Sequence, residues 1–188
     1  MNLKFFDVHT HVQFAAFNND REVVIKRALA ESVGMINVGT AKDTSEEAVS
    51  LAQKHDGLYA AIGLHPIHTA ESYHDDFESN NKNLSVVEKF DYEFYKKLGE
   101  NKKVVAIGEC GFDFYRIKDE KALVKQESVF VSQIDLAREL EKPLMIHCRN
   151  AFQDLIQSLQ NSKLPNPPGV IHFFSGNKDD ARKLLDLG

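Results

Sequence analysis

Six short apolar or β-branched runs carry polar side chains at or near their C-terminal ends, and a segment with helical spacing separates each run from the next. That alternation constrains the fold more than any other feature. The runs are Leu3–His11, Met35–Thr40, Leu58–His65, Val104–Cys110, Leu144–Cys148 and Val170–Phe174. Between them, apolar residues recur three to four positions apart: Ile25, Ala28 and Leu29; Ala48, Leu51 and Ala52; Phe130, Ile134 and Ala137. Phe152, Leu155, Ile156 and Leu159 form the clearest stripe. Thr44-Ser45-Glu46-Glu47 has the spacing of a capping box, and Gly34, Gly57 and Gly169 stand where a helix-to-strand turn favours positive φ. Ile67–Lys89, with Asp75-Asp76, Asn80-Asn81 and Asn83, is one long irregular stretch, expected as a surface insertion leading into a helix near Glu88–Leu98.

Strands alternating with helices imply right-handed βαβ units on a parallel sheet. Near-continuous apolar runs such as Tyr59-Ala60-Ala61-Ile62 fit strands buried on both faces. A doubly wound sheet and a closed barrel both satisfy this. The unusual polar residues decide between them, because they fall at the C-terminal ends of at least five different strands, where a TIM barrel assembles its site. A glycine fingerprint for dinucleotides after the first strand is absent. The expected fold is therefore an α/β, TIM (β/α)8-type barrel, with residues 1–188 as a single domain. Only about six βα units are present, against eight in a barrel of roughly 250 residues. The ending Leu184-Leu185-Asp186-Leu187-Gly188 reads as a helix closing on its glycine, with a seventh strand expected next, so the barrel is read as truncated.

Bulk properties narrow the function. The hydrophobic share is 43% and no apolar run is long enough to span a bilayer, so no membrane association is expected. The segment Met1–Asp7 has no long apolar stretch and no cleavage site, so no signal peptide is expected. Cys110 and Cys148, the only cysteines, lie inside apolar runs. No disulfide scaffold is expected, and the cytoplasm is the expected compartment. A net charge of −5 gives a poor footprint for coating duplex nucleic acid. A phosphate-bearing substrate would have to be captured locally.

The chemistry lies at the strand ends. In Asp7-Val8-His9-Thr10-His11, strict alternation puts Asp7, His9 and His11 on one face, taken as the barrel interior. Imidazoles about 7 Å apart along a strand can hold one metal from two sides, and Asp7 could fix a ring tautomer. Glu109 ends an apolar strand, sharing a face with Val105 and Ile107 by the same alternation. A carboxylate there needs a cation or an inward Lys or Arg. Gly108 and Gly111 leave room for something to approach the backbone. His147 and His172 end the fifth and sixth runs and face the same rim. Together, His9, His11, Glu109, His147 and His172 form a set that divalent cations would occupy. His65 and Arg149 stand at the same level and suit an anionic oxygen, Arg149 through its bidentate fork unless it pairs with a nearby carboxylate. His55, His68 and His74 are expected to be solvated. Cys110 and Cys148 alternate away from the site, behind the wall, and neither is read as a nucleophile.

The motifs Asp7-Val8-His9-Thr10-His11, Gly63-Leu64-His65-Pro66, Gly108-Glu109-Cys110-Gly111-Phe112-Asp113, Ile146-His147-Cys148-Arg149-Asn150-Ala151 and His172-Phe173-Phe174-Ser175-Gly176 span nearly the whole chain. The chain resembles the TatD-type metal-dependent deoxyribonucleases of the amidohydrolase superfamily. The resemblance implies two divalent cations (Zn, Mn or Mg), one on His9 and His11, one on His147 and His172, with the catalytic Glu109 bridging both. It also implies that His65 and Arg149 face the substrate phosphate, and that a late-strand Asp, on a strand beyond this sequence, completes the first metal. The implied activity is a 3'-5' exodeoxyribonuclease acting on single-stranded DNA ends, since a shallow rim without a basic groove suits an end better than a duplex interior. A small phosphodiester is the other candidate substrate, and no obligate protein partner is inferred. Rival readings are a polymerase-and-histidinol-phosphatase-type phosphoesterase, an amidohydrolase acting on a small molecule, and an inactive barrel.

Overall fold

The computed structural model describes residues 2–71, 78 and 87–188. Six parallel strands form one sheet in chain order: β1 (Phe5–Thr10), β2 (Val33–Val38), β3 (Leu58–Ile62), β4 (Val104–Asp113), β5 (Leu144–Arg149) and β6 (Gly169–Ile171). Helices alternate with them: α1 (Arg21–Ala30), α2 (Lys42–Lys54), α3 (Tyr92–Gly99), α4 (Glu120–Glu139), α5 (Phe152–Gln160) and α6 (Lys178–Leu185). This is an incomplete TIM-type barrel, with β1 and β6 as the two edges of the sheet. No helix among the described residues is long and apolar enough to cross a membrane.

The helices bury the stripes their spacing announces: Ile25 on α1, Ala48, Leu51 and Ala52 on α2, Phe130, Ile134 and Ala137 on α4, Leu155, Ile156 and Leu159 on α5. They pack with Leu58, Ile62, Ile107, Leu144 and Ile146 into one core outside the sheet. A much smaller cluster of Val38, Ala61, Ala106 and Met145 lines the inner face.

Helix and turn details depart from the sequence-based expectation in three places. Helix α2 begins two residues before Thr44, which reaches back from the first turn to accept from Thr40 N and Ala41 N, both at 2.9 Å. Thr44 caps the helix from within, and Glu47 takes no part. Helix α3 begins at Tyr92, because the Asp91 side chain accepts from Phe94 N at 3.2 Å and fixes the start there. Gly34 lies inside β2 against the Phe6 ring, and Ser32 carries the positive φ of that turn. Asp75-Asp76, Asn80-Asn81, Asn83 and His74 of the expected insertion lie outside the described residues.

Two irregularities matter for function. The β4–β5 ladder pairs Gly108 with Met145 and then Cys110 with Ile146, so Glu109 is an extra residue, a β-bulge. Before the bulge Ala106 faces inward and Ile107 packs outward. The bulge turns Glu109 to the inner side, so Glu109 does not share a face with Ile107, contrary to strict alternation. The room left by Gly108 (φ +146°) and Gly111 (φ +134°) is filled by β5, whose Met145 and His147 carbonyls stand where a Cβ would go. In β1 the register also slips, between Asp7 and Thr10, which breaks the simple alternation from Asp7 to His9.

Candidate metal centre

Glu109 is buried and every close ionic partner among the described residues is an imidazole, not a Lys or Arg. Its Oε1 lies 2.7 Å from His172 Nε2, 2.9 Å from His147 Nδ1 and 3.4 Å from His65 Nε2. Its Oε2 lies 3.3 Å from His9 Nε2, which in turn is 3.2 Å from His11 Nε2. Burial works against the charge of Glu109, but His65, His147 and His172 outweigh it and hold the carboxyl well below the usual carboxylate range. The rings crowd one another as well. His9 stacks on His172 at 3.9 Å and 11°, and His65 meets His147 at 4.3 Å.

Each donor is aimed by a strand end. His65 N donates to Thr40 O at 2.8 Å, and the Gln133 side chain clamps the main chain of Leu64 from both sides, at 2.9 and 3.0 Å. His172 N donates to Ile146 O at 3.1 Å, hooking the residue after β6 onto β5.

Second partners fix most of the tautomers. His11 Nδ1 donates to Val38 O at 2.8 Å, which leaves a lone pair on Nε2. Burial lowers the His11 pKa and keeps the ring neutral. His147 places Nε2 at 3.1 Å from Asp113 Oδ2, so that nitrogen donates there, and Nδ1 faces the centre, where a bound cation would replace its proton. Burial opposes a charge on His147, yet Asp113 and Glu109 outweigh it and raise the pKa above the ordinary value. His65 is the opposite case. Its Nδ1 accepts from Ile67 N at 3.1 Å, so the neutral ring presents Nε2–H as a donor. Burial depresses its pKa to about 4.

By proximity alone, His9, Glu109 and His172 make one trio and His65, Glu109 and His147 another. Tautomers and carboxylate oxygens sort them differently. His147 and His172 approach Oε1 and His9 approaches Oε2 with His11 beside it, while His65 offers a proton rather than a lone pair. One buried carboxylate among four such imidazoles is a nitrogen and oxygen donor set that fits divalent cations. His9 Nδ1 is buried with no hydrogen-bond partner.

Arg149 makes no ion pair among the described residues; its guanidinium lies 3.9 Å above the Tyr115 ring and lines the pocket over Glu109. Asp7 is exposed and accepts from the His9 main-chain N at 3.2 Å, so it fixes no ring. His68 is buried, with Nε2 3.0 Å from Glu78 Oε1, and His55 pairs with Glu22 at 3.2 Å, so neither is simply solvated. Burial pushes both thiols up, Cys148 to about 12, which leaves neither as a nucleophile.

Two carboxylates escape a reading based on strand ends. Asp113 lies three residues beyond the expected end of β4, fully buried, holding His147 and capping the turn at Tyr115 N (3.1 Å) and Arg116 N (2.8 Å). Continuing the β4 pairing past Gly111 would have placed it opposite Arg149 and beside His147. Glu78 sits in the irregular stretch, where no periodicity announces it.

The family described as TatD related DNase matches residues 6–188. The chain belongs to this family. The metal-dependent hydrolase YabD of Bacillus subtilis is 33% identical over 183 residues, which covers 97% of this chain and 65% of that protein. The 3'-5' ssDNA/RNA exonuclease TatD of Pantoea ananatis is 35% identical over 185 residues, again 97% of this chain and 65% of that protein. This TatD-family chain thus spans about 65% of the length of these curated relatives. The TatD homologue YJJV of Escherichia coli K12 superposes with a TM-score of 0.77 at 28% identity, covering 100% of this chain and 66% of that one.

Proposed function

We propose that this TatD-family chain carries the centre of a two-metal phosphodiesterase, a 3'-5' exonuclease on single-stranded DNA ends. The observation that carries the reading is Glu109, a buried carboxylate with imidazoles on both oxygens and no Lys or Arg partner among the described residues. His9, His11 and Glu109 would hold one cation, and His147, His172 and Glu109 the other. Divalent cations there supply Lewis acidity and neutralise charge developing on phosphorus. Zn or Mn suits the imidazoles best, and Mg is tolerated by the carboxylate.

The chain's own groups do the rest. His65 donates from Nε2–H to a non-bridging oxygen. Arg149, stacked on Tyr115, offers its fork to a second. Asp113 keeps the His147 ring turned with Nδ1 inward. In the hydrolysis, a water gives up one proton as its oxygen bonds to phosphorus, the bond from phosphorus to the bridging sugar oxygen breaks, and a proton from solvent passes to that leaving oxygen. Names among the relatives include a 3'-5' ssDNA/RNA exonuclease and a metal-dependent hydrolase, which supports the reading.

The test is a 5'-labelled single-stranded oligonucleotide with Mn, Zn or Mg, alongside a phosphomonoester and a cyclic amide. Stepwise shortening from the 3' end, abolished by a chelator and reduced by orders of magnitude in Glu109→Gln, is expected. Elemental analysis should find up to two ions, lost in His9→Ala combined with His147→Ala. Undiminished turnover in Glu109→Gln, or hydrolysis of the cyclic amide alone, would reject the proposal.

A further inference from the structure

The pocket over Glu109 encloses about 770 Å³, and its charged walls are segregated. Beyond the ends of β4 and β5 stand two guanidiniums, Arg149 on Tyr115 and Arg116, whose Nη1 lies 3.5 Å from Asp113 Oδ2. Beyond the ends of β1, β2 and β3 stands Glu78. It is 8% exposed and anchored from three loops. Its main-chain O accepts from Ala15 N at 3.3 Å, and its Oε1 accepts from His68 Nε2 at 3.0 Å and from Thr40 Oγ1. Among the described residues no Lys or Arg pairs with it, although it lines the same pocket as His11 and His65. Burial opposes its charge, but the bonds from His68 and Thr40 outweigh that and keep the carboxyl below its ordinary value. A negative charge is therefore held at one end of a pocket whose other end is cationic.

Resting on the phosphodiesterase reading above, we infer that Glu78 determines specificity by acting as an end stop. It accepts a hydrogen bond from a terminal sugar hydroxyl and rejects a terminal phosphate. The polarity of the pocket then orients the strand. Phosphates of the remaining chain run toward Arg116 and Arg149, and the neutral terminal nucleoside points toward Glu78. The substrate class is a strand ending in a free 3'-hydroxyl. A fixed like charge facing a phosphate repels it at an interface, whereas a hydroxyl donor finds a ready acceptor.

The experiment compares the metal-loaded chain on single-stranded oligothymidylates ending in 3'-hydroxyl or 3'-phosphate, reading kcat and KM separately. Wild type should favour the hydroxyl by at least about tenfold in kcat/KM, equivalent to about 1.4 kcal/mol, mostly through KM. Glu78→Gln keeps the size and the acceptor oxygen but removes the charge. It should narrow that ratio at least about fivefold, and Glu78→Asp should restore part of it. In wild type the ratio should also shrink as ionic strength rises, a check that needs no variant. A wild-type ratio near one overturns the inference, as does an unchanged ratio in a folded Glu78→Gln. If wild type cleaves neither strand with any divalent cation, the phosphodiesterase reading fails first and the end stop falls with it.

Discussion

The wall formed by β4 and β5 and the two edge strands β1 and β6 supply the same site under opposite conditions. On the wall Phe112 is 2% exposed, whereas on β1 Phe6 is 46% exposed. Donors near the wall have second partners. His147 is held by Asp113 and His65 by the Ile67 main chain. On the edges, His11 is held by Val38 O, but His9 and His172 lean on each other and on Glu109 itself, and His9 Nδ1 is buried without a hydrogen-bond partner. The difference teaches that half of the centre is preset by packing, while the other half is set by what gathers around Glu109.

The largest test of that contrast is stability. Phe112→Ala removes a ring packed against Phe130 at 5.3 Å and should cost about 3–5 kcal/mol in urea unfolding. Phe6→Ala removes a half-exposed ring that lies over Gly34 and makes a tilted contact with Tyr59 at 5.8 Å, and should cost about 1 kcal/mol. Equal losses would erase the distinction.

Acid should sharpen it next. The folded pKa of His65 is about 4 against an ordinary value of 6.5. In that window the unfolded chain binds more protons, so stability falls as pH falls. The full contribution is about 3 kcal/mol at about 1.4 kcal/mol per pH unit. His147, with its raised pKa, works in the opposite sense and is strongest below the ordinary value. Metal-free wild type should therefore lose stability more steeply between pH 6.5 and 4 than His65→Asn. Parallel curves would mean that His65 is not held neutral by burial.

The smallest expected effect compares the two carboxylates next to donors. Asp113→Asn disturbs the tautomer of His147 and should weaken Zn binding about 10–100-fold. Asp7→Asn touches only a main-chain N–H on the exposed edge and should change affinity by less than about threefold. Calorimetric titration of both variants decides it, and a larger effect from Asp7 would reverse the assignment of rigid and pliant halves.

Much of this was legible in the sequence. Apolar runs and glycines located all six strands, because a buried parallel strand must be apolar throughout. The strand-end residues His9, His11, His65, Glu109, His147 and His172 were named there, and the structure gathers them around one carboxylate. What strand periodicity could not supply was the bulge at Glu109. Alternation counts residues, and one extra residue reverses the count; only the flanking Gly108 and Gly111 hint at it. Asp113 was hidden by an expected strand end three residues too early. His68 and Glu78 were hidden because their burial arises from loops converging from distant positions, Ala15 and Thr40 among them, which no local pattern encodes.

The carboxylate of Asp113 grips His147 on one side and the turn bearing Tyr115 and Arg116 on the other. Tyr115 in turn carries the guanidinium of Arg149. Misalignments of the imidazole and of the two guanidiniums are therefore correlated rather than independent. A displacement of this turn would be felt by all three groups together.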